Sequence, residues 1–488
     1  MVWLFMISVE QNNYSIILPD FELYENLEMY SLASAIVEGT FKYFKIERIV
    51  KNRGRKPLNL LNMTKLLFFA SIDKIESSIV IRNEAISNLF YRVFCNEISP
   101  SDRSIREFKS VYNVIYRMIL SFTLLVAKKT GISIFDSVSN DGTIKLACNS
   151  PFNTIKQKDI HLLIKHYMVE ELSKKEIKKL RKSARKFLKN NKYNDDEKIE
   201  ILFKWYDQLE LTGQESLPLH DVDARWMKTK DKGQKYKKLA YNVQICTDNT
   251  SKLICGINVV QYPSDHYQIP DLLKQTIENL QSIPKILCAD TIYGTISNLL
   301  YLKKHGISAR IPTRKQSKES IDNLNPNPYH KDHFVFDDEN NIYTCPMKQE
   351  LTPDGVYDAP PEKGGFRKKK IIYSNYTACK NCPSKNKCTS SQHRTITRYT
   401  HELSYEVEKI MDTPEGKEDY KQRSCTVESH NGTFKRVYHY DHLQVVGLEK
   451  TQGLMFKIAA AYNTIRLLNI VHEKQWDIDE FIEDIKKC

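Results

Sequence analysis

The sequence predicts an α/β fold in which helices flank a mixed sheet, preceded by a helical domain and interrupted by a small β-rich insertion. Three observations support this prediction. Apolar residues recur at three- and four-residue spacing up to about residue 130, which is typical of helices. Residues 241–311 then read as hairpin, helix, strand, helix and strand. Finally, four of the eleven cysteines cluster between residues 345 and 388, in a segment of strand-like composition.

Composition sets the broad class of the protein. The chain has 488 residues, a length that predicts about two to four domains. It is 41% hydrophobic and 27% charged, as expected of a folded chain rather than a disordered one. Its 73 Lys and Arg residues exceed its 60 Asp and Glu residues, giving a net charge of +13. That excess favours a polyanionic partner, with nucleic acid first and an anionic membrane surface second.

The sequence carries no clear signal for secretion or membrane insertion. The N-terminal apolar run lacks a basic start and a cleavage site. The most apolar later stretch, residues 112–127, contains Arg117. We therefore expect a cytoplasmic protein without a membrane partner, in which most cysteines are thiols.

Residues 1–130 are predicted to form a helical N-terminal domain that binds DNA, oligomerises or does both. Apolar residues at helical spacing mark residues 58–72 and 75–94. The Ser-Pro-Ser-Asp sequence at 99–102 is a favourable start for a further helix. The basic loop at 51–57 carries four cations and is either a solvated connector or a phosphate contact.

A strand is predicted from residue 132, where the apolar pattern changes, and Asp141-Gly142 lies late in this run. An acidic residue beside a glycine is either a turn residue or a metal ligand, because glycine permits close approach. We assign residues 131–315 to the sheet-bearing domain, with a lysine-rich helical insertion at 150–220. That insertion is either a helical hairpin with solvated faces or a basic arm along DNA.

Residues 241–311 supply the remainder of the predicted sheet. Residues 241–247 and 253–260 read as a hairpin, residues 268–280 as an amphipathic helix and residues 285–289 as a short buried strand. Asp290 follows that strand directly, at the position where open α/β sheets bind their ligands. A helix to about residue 304 and a strand at 307–311 complete the pattern.

Residues 316–415 are predicted to form a small β-rich subdomain stapled by a zinc ion. The predicted ligands are Cys345, Cys379, Cys382 and Cys388. Cys379 and Cys382 are separated by two residues, a spacing that aims both thiolates at one ion in tetrahedral zinc sites. The alternative is four ordinary thiols, and His393 and His401 are nearby alternative ligands.

Residues 420–435 carry a phenol, two cations and a carboxylate on one broad side of a predicted helix: Tyr420, Arg423, Lys435 and Glu428. At about 100° per residue, Glu428 and Lys435 lie nearly in line, two turns apart. This set suits a phosphodiester site, in which the carboxylate holds a metal ion and the cations hold phosphate oxygens. The alternative is a charged surface helix, and the Asn-Gly pair at 431–432 argues against an uninterrupted one. Residues 416–488 would complete the sheet-bearing domain.

Taken together, these segments resemble a bacterial insertion-sequence transposase of the DDE class with the tyrosine-arginine-glutamate-lysine (Y-R-E-K) signature. The matching segments are Asp-Gly-Thr at 141, Asp-Ala-Arg-Trp-Met-Lys at 223, Ala-Asp-Thr-Ile-Tyr-Gly at 289, and Tyr420, Arg423, Glu428 and Lys435 at the signature spacing. One departure is Thr291-Ile292, where relatives usually carry Ala-Gly. The resemblance covers most of the chain and implies a ribonuclease-H-like sheet with a cysteine-rich insertion.

The resemblance also implies a metal-dependent reaction on DNA. Asp141, Asp290 and Glu428 would bind two divalent cations, Mg²⁺ or Mn²⁺, about 4 Å apart. The enzyme would cut at the ends of an insertion element and join the freed 3′-OH to target DNA. The expected partner is double-stranded DNA, both element ends and target, bound by a homodimer at the bacterial nucleoid.

Further residues are expected to hold the DNA. Tyr420, Arg423 and Lys435 would position it near the cut through phosphate contacts and stacking on a flipped base. Arg225 and Lys228 would add phosphate contacts, or else belong to a surface loop. Two alternative functions stay open at this point: a ribonuclease-H-like DNA nuclease without strand transfer, and an inactive DNA-binding relative.

Overall fold

The structure is a computed structural model, and it describes most of the chain. The described residues are 6–8, 15–17, 21–47, 58–111, 113–228, 237–313, 316, 327–359, 368–399, 403–436 and 442–488. Within them, the side chains of residues 6–8, 15–17, 21–25, 332, 359, 368, 425 and 427–436 lie outside the description. The predicted basic loop at 51–57 and the alternative ligand His401 also lie outside the described residues.

Helices from both ends of the chain pack into one hydrophobic core with the central sheet. The N-terminal helices are α1 Phe21–Tyr43, α2 Leu60–Ile72, α3 Ser78–Ser87, α4 Leu89–Phe94, α5 Asp102–Val111 and α6 Asn113–Lys129, and the C-terminal helices are α17 Leu448–Glu473 and α18 Ile478–Lys487. Helix α17 contacts α6, α2 and the sheet, and it is buried along most of its length. The N-terminal helices therefore share their core with the sheet. The predicted boundary at residue 130 stays a prediction.

The central sheet is mixed and is flanked by helices. Its strands are β3 Ser137–Leu146, β6 Arg225–Lys228, β7 Lys237–Asp248, β8 Ile254–Val260, β9 Ile286–Ala289 and β10 Ser308–Arg310. The spatial order is β8, β7, β3, β9, β10, and β6 pairs with β7 on the same side as β8. Pairing is antiparallel from β8 to β3 and parallel from β3 to β10. The predicted α/β class is confirmed.

Helices connect the strands on the parallel side. Helix α11, Ile269–Leu280, joins β8 to β9, and helix α12, Ile296–Lys304, joins β9 to β10. Near the N-terminus, strands β1 Met6–Ser8 and β2 Ser15–Ile17 form a separate antiparallel pair. The predicted hairpin, helix, strand, helix and strand of residues 241–311 are thus present in that order.

The first strand of the sheet begins later than the sequence predicts. The apolar run at residue 132 suggests a strand, but β3 begins at Ser137. Phe135 adopts a positive φ of 59°, which an extended strand does not allow. Its backbone N–H donates to the Ser133 hydroxyl, which itself donates to Asp248. A side-chain-capped turn therefore replaces the first residues of the predicted strand.

The chain between β3 and β6 folds into a unit with its own core. It contains the short antiparallel strands β4 Thr154–Ile155 and β5 Leu217–Pro218 and the helices α7 Gln157–Met168, α8 Lys174–Lys179, α9 Lys182–Leu188 and α10 Asp195–Thr212. Leu163, Phe187 and Leu202 are buried in its separate apolar cluster. These elements lie within the predicted helical insertion.

The cysteine-rich segment contains a five-stranded antiparallel sheet. Its strands, which pair in chain order, are β11 Val335–Asp337, β12 Ile342–Thr344, β13 Glu350–Ala359, β14 Lys368–Ser374 and β15 Thr395–Tyr399. Two short helices, α13 Tyr376–Lys380 and α14 Lys385–Cys388, lie between β14 and β15. The buried core of this unit consists of Phe334, Tyr343, Leu351, Tyr373 and Ile396.

Two helices lead back from this segment to the sheet. They are α15 Leu403–Asp412 and α16 Pro414–Arg436. Helix α16 continues through positions 431 and 432, so the Asn-Gly turn signal there was wrong. The helix packs along β3, β9 and β10, with Thr426 almost fully buried. The pair has weak helix propensity, and tertiary contacts elsewhere along a helix routinely override such an intrinsic preference.

Helix α17 is long and apolar enough to cross a membrane. However, 78% of its most apolar window is buried inside the fold, as in the core helix of a folded domain. Helices α5 and α6 meet the same criterion only as one span bent by 67°. The absence of a membrane partner stays a prediction.

Candidate active site

Asp141 and Asp290 lie side by side on the central sheet. Asn140 of β3 pairs in register with Ala289 of β9, so the two aspartates are the next residues along neighbouring parallel strands. Adjacent strands run about 4.8 Å apart, and residues in register point to the same face. Asp141 therefore lies inside a strand, and the alternative prediction of a turn residue at this position was wrong.

A short turn holds Asp290 at the end of β9. The Thr291 backbone N–H donates to Asp290 Oδ1 at 2.6 Å, which caps a 3₁₀ turn over Thr291–Tyr293. Asp290 itself is exposed. The departure from the family pattern at Thr291-Ile292 falls in this turn and leaves the carboxylate at the strand end.

Helix α16 covers the face that carries both aspartates. Arg423 Nη2 donates to Asp141 Oδ1 at 3.2 Å, and each side chain is less than one-fifth exposed. Burial opposes the charge of Arg423, but Asp141, Tyr420 and Asp290 together raise its guanidinium pKa above the ordinary value. Tyr420 lies one turn earlier, its ring centroid 5.9 Å from the Arg423 guanidinium carbon. Without bound substrate, the arginine neutralises part of the negative charge of the site.

A second set of polar residues lies on the opposite face of β3, at Gly142. Asp265 Oδ1 accepts hydrogen bonds from Gln244 Nε2 at 2.6 Å and from Asn242 Nδ2 at 2.7 Å. A Cβ atom on Gly142 would lie 2.5 Å from Asp265 Oδ1 and from Gln244 Nε2. Only glycine leaves room for this arrangement, which explains the glycine after Asp141 in physical terms.

Tyr293 connects this set to the turn after Asp290. Its hydroxyl donates to Gln244 Oε1 at 2.6 Å. Burial, followed by the negative charges of Asp265 and Asp141, holds the pKa of Tyr293 well above its usual range, so the hydroxyl remains a donor. Because Asp265 accepts from the Gln244 amide nitrogen, the Gln244 oxygen is turned toward Tyr293. A directed chain of hydrogen bonds therefore runs from Asp265 to the turn that holds Asp290.

Sequence reasoning missed Asp265, Gln244 and Asn242. Asp265 lies in the loop between β8 and α11, and its partners lie on β7, so no local spacing relates them. Two signals point to this set: Gly142 itself, and Tyr293 within the matching Ala-Asp-Thr-Ile-Tyr-Gly segment.

The remaining predicted residues of the helix are placed by backbone only. Glu428 and Lys435 lie on α16, and Glu428 is five residues past Arg423, about 7.5 Å along the helix axis. Their side chains lie outside the described part of the chain, so their roles stay predictions.

Arg225 and Lys228 lie at the two ends of β6. The Arg225 side chain is mostly buried, and its Nη1 donates to the carbonyl oxygens of Val222 and Ala224 at 2.8 and 3.1 Å. Burial lowers the pKa of Arg225, although Asp223 opposes this effect. Lys228 is exposed. The structure thus gives Arg225 a local backbone role, and phosphate contact by either residue stays a prediction.

Asp221 and Asp223, just before β6, hold the start of helix α17. Asp221 Oδ1 accepts from the Gly447 N–H at 3.2 Å, and Asp223 Oδ2 accepts from the Leu448 N–H at 3.0 Å. Acidic groups stabilise a helix at its N-terminus. Asp223, the one acid of the matching Asp-Ala-Arg-Trp-Met-Lys segment, and Asp221 just before it therefore have a structural role.

The four predicted zinc ligands line one small cavity. They are Cys345, Cys379, Cys382 and Cys388, around a space of about 30 Å³. The Gln349 N–H donates to Cys345 Sγ at 3.4 Å. Burial raises the pKa of Cys388, and the other three cysteines add to this effect. His393 does not line the cavity. No group of three or more His, Cys, Asp or Glu side chains in the described ranges is already arranged around one ion position.

Residues 344–468 match the family model described as "Transposase DDE domain". No curated protein matches the chain significantly. One solved structure that matches, a cryo-EM structure of the piggyBac transposase synaptic complex with hairpin DNA, is 8% identical with a TM-score of 0.31. This match covers 94% of the present chain and 79% of that chain. The family match, which spans the cysteine cavity, α16 and most of α17, supports a DDE transposase.

Proposed function

We propose that this protein is a DNA transposase that cuts at the ends of an insertion element and joins the freed 3′-OH to target DNA. The observation that carries the proposal is the adjacency of Asp141 and Asp290 on one sheet face beneath α16, the helix that bears Glu428. The family match of residues 344–468 supports the same reaction class.

The proposed fold of the catalytic domain is ribonuclease-H-like. In support, β3, β7 and β8 form an antiparallel run, β9 and β10 add in parallel on the other side of β3, and a late helix crosses the face with the acids. The resemblance to this fold implies three carboxylates: one on the first strand, one after the fourth strand and one on the late helix. The helical insertion then separates β3 from β6, the short strand that precedes β7.

The carboxylates would hold the divalent ions that this chemistry uses. Asp141, Asp290 and Glu428 offer oxygen ligands, which suit Mg²⁺ or Mn²⁺. When bound, such ions would activate the attacking water or 3′-OH and stabilise the leaving oxygen. Arg423 would compete with the ions for Asp141, because its guanidinium already contacts the Asp141 carboxylate. We infer that Arg423 turns toward a DNA phosphate when ions and DNA bind, while Tyr420 and Lys435 position the strand.

The cysteine-rich segment is proposed to hold a structural zinc ion. The support is that all four cysteines line a single cavity beside a sheet whose buried core is small. A unit with so little apolar burial needs a further source of stability, and a tetrahedral thiolate site supplies one.

The proposed partners follow from charge and reaction. The net charge of +13 suits duplex DNA, and joining two element ends suits a homodimer on DNA. We propose that the protein acts in the bacterial cytoplasm at the nucleoid. DNA affinity is expected to fall steeply with salt, because several phosphates are neutralised at once. Affinity that does not change with salt would contradict this extended contact.

A cleavage and strand-transfer assay tests the proposal. Purified protein is incubated with Mg²⁺ and duplexes carrying the element ends, either intact or pre-cut, together with a target plasmid. We expect cleavage of intact ends and joining of pre-cut ends, and loss of both in Asp141→Ala, Asp290→Ala and Glu428→Ala, with DNA binding retained. Any one variant that cleaves at near the wild-type rate removes that residue from the site. Cleavage without joining of pre-cut ends would instead indicate a nuclease, and binding without either reaction an inactive relative.

A further inference from the structure

Helices α8 and α9 carry a strongly basic surface that the proposed site does not use. Between Lys174 and Lys192 there are ten Lys and Arg residues and one Glu. Nine of the cations are exposed, and we refer to them as the basic surface: Lys174, Lys175, Lys178, Lys179, Lys182, Arg185, Lys186, Lys189 and Lys192. The tenth, Arg181, is turned inward, and its Nη1 donates to Thr154 Oγ1 at 2.5 Å.

The basic surface is not neutralised by the protein. In the described part of the chain, none of its nine cations forms an ion pair. The one acid of the stretch, Glu176, accepts from the Ser173 hydroxyl at 2.7 Å and contacts Lys165, which is outside the surface. Since an exposed charge without a partner gains most from an external counterion, this face is suited to a polyanion.

Charge in the helical insertion is separated by sign. The rest of residues 150–220 carries five Lys or Arg residues and ten Asp or Glu residues, the reverse of the balance between Lys174 and Lys192. A surface that serves only solubility works best with both signs interspersed. Separation on this scale along the sequence of one small unit indicates a segment directed at a negatively charged partner.

The basic surface rests on a rigid support. Leu180, Ala184 and Phe187 are buried in the core of the insertion, and the exposed cations of α9 alternate with them at helical spacing. The insertion is closed at its base, where the Leu219 N–H donates to the Asn153 carbonyl at 3.0 Å. The Trp226 indole N–H on β6 donates to the Ser216 carbonyl at 3.2 Å. The cations therefore project from a folded unit and not from a flexible tail.

The insertion is attached close to the proposed catalytic site. Strand β3, which carries Asp141, ends at Leu146, five residues or about 17 Å further along. The chain enters the insertion directly after this strand and leaves it just before β6. The base of the insertion therefore lies at the end of the same strand that carries Asp141.

We propose that the basic surface binds the phosphate backbone of duplex DNA beside the cleavage site and does so without reading sequence. Lysines and arginines on a helix face contact phosphates through charge and carry no base information by themselves. This inference rests on the proposed function for the identity of the polyanion. Its role is to hold the DNA next to the strand that bears Asp141.

Salt-dependent DNA binding tests the proposal with a matched pair of triple variants. The first, Lys182→Ala/Arg185→Ala/Lys186→Ala, removes three charges from α9. The control, Lys128→Ala/Lys274→Ala/Lys304→Ala, removes three exposed charges from α6, α11 and α12. Dissociation constants for element-end and unrelated duplexes are measured by fluorescence anisotropy over a salt series in EDTA, and thermal unfolding verifies the folding of both variants.

The α9 variant is expected to bind both duplexes about tenfold or more weakly at low salt. The slope of log Kd against log salt should fall by about 2–3, as expected for three lost phosphate contacts, whereas the control should keep the wild-type slope. An unchanged slope, an equal change in the control, or a loss confined to one sequence would overturn the proposal. Binding of anionic lipid vesicles by the wild-type surface, with duplex binding unaltered in the variant, would also overturn it.

The outcome can be separated from that of the proposed function. Binding in EDTA is measured without any cleavage, so a protein that proved unable to cut or join DNA would still reveal whether the basic surface contacts a duplex. Conversely, a transposase whose α9 variant binds DNA normally would retain its proposed function and lose only this inference.

Discussion

The carboxylates of the central sheet and the cysteines of the insertion are both proposed to hold metal ions, but the protein supports them in different ways. Asp141 lies in β3 and Asp290 directly follows β9, and both strands are embedded in a core shared by helices from both ends of the chain. The cysteines lie around a cavity beside a core of five buried side chains. From this difference we expect the sheet to fold without an ion and the insertion to depend on its proposed zinc ion for stability.

Contacts around the two sites agree with this distinction. On the sheet, Arg423 pairs with Asp141, and the Thr291 N–H donates a hydrogen bond to Asp290. Both carboxylates therefore have protein partners without an ion. In the described part of the insertion, the Gln349 N–H donates to Cys345 Sγ, and burial raises the pKa of Cys388 although the charge of Arg394 opposes this effect. We therefore expect an ion at the first site to change mainly activity and an ion at the second to change mainly stability.

The largest expected effect is loss of activity without loss of stability in Asp290→Asn. Asparagine can still accept the hydrogen bond from the Thr291 N–H, so the turn keeps its cap. We expect cleavage to fall at least about 10³-fold, because a lost ion ligand removes several kcal/mol of transition-state stabilisation. The free energy of unfolding, measured with urea, should stay within about 0.5 kcal/mol of wild type. A destabilisation of several kcal/mol would show that Asp290 has a structural role, and the proposed difference between the carboxylate site and the cysteine site would then be wrong.

The opposite pattern is expected for Cys382→Ser. Loss of one thiolate should abolish stoichiometric zinc, measured by metal analysis, and expose the insertion to limited proteolysis between residues 327 and 399. Because structural zinc supplies folding free energy, we expect a local destabilisation of at least about 3 kcal/mol, with the main unfolding transition nearly unchanged. Cys148→Ser, which alters a partly exposed cysteine outside the cavity, is the matched control. Wild-type protein that is free of zinc yet resists proteolysis would show that the four cysteines are ordinary thiols.

Local spacing explains how much of each site could be predicted. Cys379 and Cys382 are close in sequence, so their convergence on one cavity follows from short-range geometry. Predicting that Asp141 and Asp290 lie close together also required the order of the strands, which the alternation of hairpin and helices indicated. Asp265 was unpredictable, because its partners lie across the sheet and its loop has no periodicity. The start of β3 was set too early, because no apolar pattern reveals the positive φ of Phe135.

The chain of hydrogen bonds beneath Gly142 offers a test of intermediate size. Removing the acceptor in Asp265→Ala leaves one N–H of Asn242 and one N–H of Gln244 without an acceptor, although each amide keeps a second bond, to the Tyr262 carbonyl and to Asn242 Oδ1 respectively. The Tyr293 turn then loses part of its fixed orientation. We expect kcat for cleavage to fall about 10- to 100-fold with little change in DNA affinity, since misplacement of a reacting group affects the chemical step. The unpaired donors should also cost about 1–3 kcal/mol of stability.

Asp265→Asn distinguishes positioning from metal binding at this residue. Both hydrogen bonds end on Oδ1, which asparagine retains, so the variant should recover most of the activity lost in Asp265→Ala. Failure of Asp265→Asn to recover activity, together with an altered preference between Mg²⁺ and Mn²⁺, would make Asp265 an ion ligand. Asp265 would then be a member of the carboxylate site and not a residue that positions it.

The smallest expected effect is that of Arg423→Gln, which should strengthen Mg²⁺ binding and weaken DNA binding. Arg423→Gln removes a cation that lies 3.2 Å from Asp141 Oδ1, so the carboxylate becomes more attractive to Mg²⁺. We expect the Mg²⁺ concentration for half-maximal cleavage to fall about three- to tenfold, the scale of one opposite charge acting on a carboxylate. DNA should bind more weakly, with a salt slope reduced by about 1 through the lost phosphate contact. Lys417→Gln, an exposed change on the same helix, should alter neither quantity appreciably. If Arg423→Gln instead weakens Mg²⁺ binding, the arginine organises Asp141 for the ion, and the carboxylate site resembles the cysteine site in needing a partner to be formed.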